Sequence, residues 1–346
     1  MDALKLLPLL LVPLLVFFGY SAFNGAEKRG FGCDSPLLLV HYHKTGHDAS
    51  RVIASALSSS LSITFDDVMS RPDAPATTCH NLVGGAAWQS CYGVQASPDL
   101  LCRPFPLQLR VVHFERQPTE TVISAYLYHS QEPPPEPWVH SRHPCAVRTR
   151  PTQALRRFAD AAGVPSGQLE AVTALCHQLQ PPNASFHQAL RSLPASAGVR
   201  LVATWMISSQ GDLLRMAANS RSLANVASRR AGEHVSHYAI DLGELSQSAP
   251  RVLSGLATWL HNSSIRMGTA LRGEERTKRL ADDLTSRFVS AQTSAARKSE
   301  RRHVTHELAS QKERARLSEA LATDPTLSPV LRRVESILRR TNRGAM

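Results

Sequence analysis

The sequence predicts an α/β protein with a central, mostly parallel sheet flanked by helices. Three strand-then-helix passages predict it. "PLLLVHYH" (36–43), "LQLRVVHF" (107–114) and the short strand within "HYAIDLGEL" (237–245) each lead within a few residues into a helical pattern. A continuous apolar run bounded by turn signals suits a buried strand. Strand, tight polar loop and helix make half of a parallel β-α-β unit.

The elements follow in order. "LLPLLLVPLLVFFGYSAF", Leu6 to Phe23, carries no charge over 18 residues, with Lys5 before it and Glu27, Lys28 and Arg29 after it. At 1.5 Å per residue it reaches about 27 Å, near the thickness of bilayer hydrocarbon. An uncleaved signal-anchor is expected after a short cytoplasmic tail (1–23), with a cleaved signal peptide as its rival. Lys28 and Arg29 flank the wrong side for a lumenal body, so charge alone leaves the orientation ambiguous. A polar stem covers 24–34. After the first strand, "DASRVIASALSSSL" (48–61) reads as a helix. Asp48 is its expected N-cap, and Val52, Ile53, Ala56 and Leu57 are its apolar stripe. Residues 58–106 are rich in Pro, Ser and Cys and predict irregular structure with short elements. Past the second strand, Pro118 suits a first helical position, ahead of "TETVISAYLYHSQ" (119–131). "EPPPEPW" (132–138) ends that helix and is expected to be extended.

From Gln153 to Leu193 the pattern is helical, with breaks at Gly163, Pro165 and Pro181-Pro182. "GVRLVATWM" (198–206) suits either a strand or a helix start. "GDLLRMAANSRSLANVASRR" (211–230) and the passage through "VLSGLATWLH" (252–261) are helical. The charged remainder is helical with breaks near "RRHVTHE" (301–307) and "DPTLSP" (324–329). The expected organisation is one α/β domain over 35–270 and a basic helical part over 271–346 packing on it. No internal repeat is seen.

Composition narrows the class. A hydrophobic content of 42% over 346 residues supports a sizeable core and excludes a disordered chain. The net charge is +11. Residues 271–346 hold 17 Lys and Arg against 10 Asp and Glu, so +7 of it lies there. That balance suits polyanions: nucleic acid, acidic glycans or phosphate-bearing cofactors. Six cysteines (Cys33, Cys79, Cys91, Cys102, Cys145 and Cys176) fit disulfides in an oxidising compartment, or ordinary buried thiols. No Cys-x-x-Cys pair points to structural zinc. Asn183-Ala184-Ser185 and Asn262-Ser263-Ser264 are glycosylation sequons.

The first strand-to-helix turn, "VHYHKTGHDAS" (40–50), invites two chemistries. In a strand His41 and His43 share a face, with His47 past the turn, and three histidines could hold zinc. Lys44 among them would repel a cation, so no metal is expected. A phosphate fits better. The GxxxxGK[ST] pattern is absent, but a loop's backbone N–H groups, a helix N-terminus and Lys44 together attract an anion. In "HFERQPTETVISAYLYH" (113–129), Arg116 follows a strand and Ser124 lies eight residues on. Together they can grip one phosphate.

"HYHKTGHD" resembles the 5′-phosphosulfate loop of sulfotransferases that use 3′-phosphoadenosine 5′-phosphosulfate (PAPS). "HFERQPTETVISAYLYH" is similar to their 3′-phosphate motif. "YLYHSQEPPPEPW" (126–138) looks like a divergent membrane-anchored group of that family, and "YAIDLGELSQSAPRVLSGLATWL" (238–260) like its later Tyr-Glu-Asp-Leu segment. The clear resemblance covers about 35–140. It implies a P-loop-like domain that transfers a sulfuryl group from PAPS to a carbohydrate hydroxyl. It also implies a type II Golgi membrane protein with a lumenal body, an acidic glycan as the possible acceptor, and no nucleic-acid partner. Lys44 would neutralise sulfuryl charge, and His47 is its catalytic companion. His43, Thr45, Gly46, His47 and Asp48 would line the phosphosulfate, Arg116 and Ser124 would hold the 3′-phosphate, and Arg302 and His303 would close over the nucleotide.

The chain departs from the family at Asp48-Ala49, where two hydroxyls are usual, and at Gln117, where an aspartate is common. Sulfuryl transfer needs positioning and charge neutralisation more than covalent help. The general base is open among His41, His43, His47, Asp66, Asp67 and Glu115. The alternatives are a catalytically inactive, glycan-binding member and a P-loop small-molecule kinase.

Overall fold

A computed structural model describes residues 37–61, 66–68, 86–90, 109–134, 136–141, 150–209, 212–229, 235–266, 273–298 and 310–343. The apolar segment 6–23, the stem, Arg302, His303 and every cysteine but Cys176 lie outside them. Among the described residues no helix is long and apolar enough to cross a membrane.

The strands are β1 (Leu37–His41), β2 (Asp66–Val68), β3 (Ala86–Ser90), β4 (Leu109–Glu115) and β5 (Val235–Asp241). They form one sheet in the order β2-β3-β1-β4-β5. β1, β4 and β5 run parallel; β3 pairs antiparallel with β1, and β2 with β3. The fold is therefore α/β, but its sheet is mixed. A parallel half of three strands carries the strand-then-helix units, and an antiparallel pair drawn from the irregular 58–106 stretch extends one edge.

Twelve α-helices are described, together with a single 3-10 turn at Pro137–His140 that ends the expected extended run. The three strands of the parallel half, β1, β4 and β5, feed α1 (His47–Leu61), α2 (Pro118–His129) and α8 (Leu242–Gln247) respectively. Between them come α3 (Gln153–Ala161), α4 (Ser166–Leu179), α5 (Phe186–Ser192), α6 (Ala195–Ser208) and α7 (Asp212–Arg229). α9 (Ala249–Arg266), α10 (Glu274–Lys298), α11 (Gln311–Ala322) and α12 (Leu327–Arg343) follow. Local chemistry sets many starts. Thr152 and Ser310 each accept the backbone N–H of the third residue of their helix, and Ser185 with Gln188 makes a full capping box. Pro118 opens α2, as its lack of an N–H allows. Asp48 is not the cap of α1. The helix starts one residue earlier, and the Asp48 carboxylate turns out to Arg51 at 3.5 Å. Residues 198–206, readable either way, lie inside α6, which is buried almost all round. Gly198 there lets the Tyr126 ring approach, since a Cβ would sit 2.7 Å from it.

Two cores sandwich the sheet. On one face Leu37, Leu39, Val112, Phe114 and Ile240 pack with α1, α9 and α10, including Leu280, Leu284 and Phe288. On the other, Val40, Tyr42 and Val111 pack with α2 to α7, α11 and α12. The alternation along β4 follows from the period of two in a strand. Burying each such Leu, Val or Phe contributes about 1.5–3 kcal/mol. The C-terminal helices thus complete both cores: Leu317, Leu321, Val330 and Val334 are buried with α6 and α7. Cys176, buried in α4, is disulfide-bonded.

One buried polar network crosses the second core. Tyr42 Oη lies 2.8 Å from His113 Nε2 and accepts from Asn219 Nδ2 at 2.6 Å. His113 Nδ1 is 3.0 Å from Glu115 Oε1, which also accepts from the Ser220 hydroxyl. β1, β4 and α7 are tied through groups with almost no exposure. Glu115 is fully buried, and its Oε1 is committed to this network.

Candidate functional site: the anion loop at the carboxyl ends of β1 and β4

The loop after β1 is built around backbone that ordinary residues avoid. Lys44 has φ +59 and Gly46 φ +106. A left-handed residue in such a turn aims successive N–H groups one way, which favours an anion, and an outlier of this kind is characteristic of functional loops. At Gly46 a Cβ would also lie 3.0 Å from Leu242 and 3.3 Å from Phe114. Gly46→Ala should thus cost more than about 1 kcal/mol, read as a lowered urea midpoint with unchanged slope.

Thr45 closes the turn. Its N–H donates to the Tyr42 carbonyl at 3.0 Å, and its hydroxyl accepts from Tyr42 N at 2.5 Å. This corrects one expectation, because the Thr45 N–H is spent inside the loop and does not line an anion. The first N–H groups of α1, from His47, Asp48 and Ala49, have no intrahelical acceptors, as at any helix start, while Ser50 N bonds the Gly46 carbonyl at 2.8 Å. The Asp48 side chain, 71% exposed and paired with Arg51, points to solvent rather than into the loop.

Parallel pairing of β1 with β4 brings the two sequence-distant motifs together. The Arg116 guanidinium donates to the Lys44 carbonyl at 3.3 Å across 72 residues of sequence. Burial holds Arg116 below its ordinary range, and Arg314 beside it adds to that. Ser124 is buried one side of α2, two turns on from Arg116. Glu120 bonds Arg314 of α11 at 2.8 Å and lies 4.0 Å from Arg116. β5 also ends here, with Asp241 capping α8 and acting on Arg116. Arg314 was not legible as a site residue: it lies 194 residues downstream of Glu120 in an arginine-rich stretch, with no local motif.

The Lys44 ammonium sits over the Tyr128 ring, 2.7 Å from its centre, an attractive cation–π arrangement. Burial disfavours its charged form and lowers its pKa to about 7. Burial and Glu136 push the Tyr128 hydroxyl up to about 12.

The three loop histidines separate. His41 Nε2 and His47 Nδ1 are 3.3 Å apart, and burial followed by that neighbour lowers His41 to about 4. His47 is exposed on α1. His43 turns the other way and stacks on His129 of α2, with ring centres 5.0 Å apart and planes 11° apart. Its backbone N–H bonds Asp212 at the start of α7, and burial raises that carboxyl to about 6. Asp66 and Asp67 lie on β2, two strands from β1 and so about 10 Å away.

Two residues that the sequence reading passed over complete this wall. His129 Nε2 is 3.2 Å from Glu136 Oε2, which also accepts from the Trp138 indole N–H. Burial raises the Glu136 carboxyl, but the His129 bond and the two nearby imidazoles outweigh it and hold it at about 2. His187 of α5 anchors the connecting turn by bonding the His129 carbonyl at 2.9 Å and the Glu132 carboxylate at 3.2 Å. Trp138, Trp205 and Phe186 stack behind it. The Glu-x-Trp spacing of "EPW" was the available signal, hidden by reading the Pro-rich run as a passive terminator.

The site therefore gathers Lys44, Arg116 and Arg314 as cations, a left-handed loop at a helix start, and a His–His–Glu wall. Compared with protein-family models, curated proteins and solved structures, the chain matches none.

Proposed function

We propose that this chain is a PAPS-dependent sulfotransferase acting on a carbohydrate hydroxyl. The observation that carries the reading is the hydrogen bond from Arg116 to the Lys44 carbonyl. It brings two cation-bearing motifs from separate strands side by side, which supports a site for a nucleotide with both a 3′-phosphate and a 5′-phosphosulfate. The 5′ end would lie on the loop at Gly46 and the start of α1, with Lys44 neutralising charge as the sulfuryl group moves. The 3′-phosphate would lie against Arg116 and Ser124, with Arg314 adding charge. Such transfer depends on positioned charge rather than covalent steps. His43, adjacent to Lys44, replaces His47 as the favoured proton acceptor, because its ring faces the wall while His47 faces solvent.

Calorimetry with 3′-phosphoadenosine 5′-phosphate tests the reading. Binding that is at least tenfold tighter than that of ADP supports it, and no detectable binding overturns it. A labelled-donor assay that transfers from ATP but not PAPS would make the chain a kinase.

Lys44 adds a pH signature. In the empty site it loses its proton near pH 7, and a bound phosphosulfate or phosphate favours the ammonium and raises that value. Affinity is thus greatest below pH 7 and falls as pH rises through it, by at most tenfold per unit. Between pH 7 and 9 the wild type should lose up to about tenfold relative to Lys44→Met, a comparison that cancels titration of the nucleotide itself. Equal pH profiles would show that Lys44 does not meet the anion.

A further inference from the structure

One ring nitrogen of His43, one of His129 and a carboxylate oxygen of Glu136 all lie within 4.8 Å of one another. The His129–Glu136 separation of 3.2 Å is already close to the ligand-to-ligand edge of a tetrahedral zinc site, about 3.3 Å for bonds near 2.0–2.1 Å. A second observation points the same way. His43 Nε2 is buried and has no hydrogen-bond partner among the described residues. Such atoms are uncommon, and each usually has a reason. Neighbouring groups fix the carboxylate and both backbones. Glu136 accepts from Trp138, the His129 backbone is held by His187, and the His43 backbone bonds Asp212. Two imidazoles and one carboxylate suit zinc-class ions and not calcium or magnesium, which take oxygen.

We propose that His43, His129 and Glu136 form a binding site for a divalent, zinc-class transition cation beside the anion loop, with water as the fourth ligand. It is not a cofactor of sulfuryl transfer. Metal binding stands on the three side chains alone. Its consequence rests on the sulfotransferase reading: a metal on His43 takes the lone pair that would receive the acceptor proton, so zinc would inhibit. The Lys44 ammonium next to the site repels a dication and weakens binding, so Lys44→Met should bind zinc more tightly.

The test titrates zinc chloride into the full chain against a chromogenic zinc indicator. Expected are one specific equivalent in the wild type, at least about tenfold weaker binding in Glu136→Gln and at least about a hundredfold weaker binding in His129→Ala, since losing a ligand costs no less than the roughly 10–100-fold of losing an outer-shell partner. Cobalt should give the visible absorption of a four-coordinate site in the wild type and lose it in both variants. Equal zinc affinity in wild type and Glu136→Gln overturns the proposal, and so does the absence of a specific equivalent. Glu136→Gln keeps the volume and a hydrogen-bonding head, and circular dichroism checks its fold. It therefore decides the matter even if His129→Ala does not fold. Zinc binding without 3′-phosphoadenosine 5′-phosphate binding would sink the sulfotransferase reading and leave the metal site standing. Nucleotide binding without zinc binding would do the reverse.

Discussion

If the proposed sulfotransferase reading holds, Lys44→Met should lower sulfuryl transfer from PAPS about 10³-fold, while 3′-phosphoadenosine 5′-phosphate binding should weaken by roughly tenfold. The two effects differ because the product nucleotide lacks the group whose charge grows during transfer. A preorganised cation in a water-poor site acts mainly on that charge, and here the ammonium is already held over Tyr128 by the fold. Arg116→Ala should show the opposite split, with binding of the 3′-phosphorylated nucleotide falling ten- to a hundredfold and ADP binding little changed. Calorimetry and a labelled-donor assay on the same preparations measure both. A Lys44→Met variant that retains full turnover would remove the loop from the chemistry.

The second large effect concerns stability. Glu115→Ala should destabilise the protein by about 3–5 kcal/mol. It leaves His113 and Ser220 facing a vacated polar cavity between β4 and α7. Glu115→Gln should cost clearly less, because the amide oxygen still accepts. Urea unfolding followed by circular dichroism distinguishes them. Since Tyr42 joins the same network through His113 and also holds Thr45, the Ala variant should loosen the anion loop as well. If Glu115→Ala matched the wild type in unfolding midpoint, the network would be incidental.

Much of the fold was readable locally. The apolar runs that became β1 and β4, Pro118 at a helix start and the breaks at Gly163 and Pro181 follow from short-range chemistry. Two features did not. Residues 198–206 are apolar on every side, so no periodicity separates strand from helix; burial among α2, α4 and α11 decides for helix. Asp48 has the chemistry of a cap, but the left-handed turn at Lys44 and Gly46 lets the helix begin at His47 and releases that carboxylate to Arg51. Similarly, three histidines in seven residues read as one cluster. The strand ends at His41, and the turn sends His43 and His47 to opposite sides.

By itself, the sequence determined the strand-to-helix units, the loop with Lys44 and Gly46, and the presence of a second cation, Arg116, at a later strand end. These depend on neighbours within a few residues, where backbone preference and apolar spacing act. Tertiary structure alone decided that Lys44 and Arg116 meet, that Arg314 joins them from α11, and that His43 faces His129 and Glu136. Those contacts depend on which strands pair and which helices share a core. That choice is made by the burial of whole faces, and no residue signals it to its neighbours in sequence.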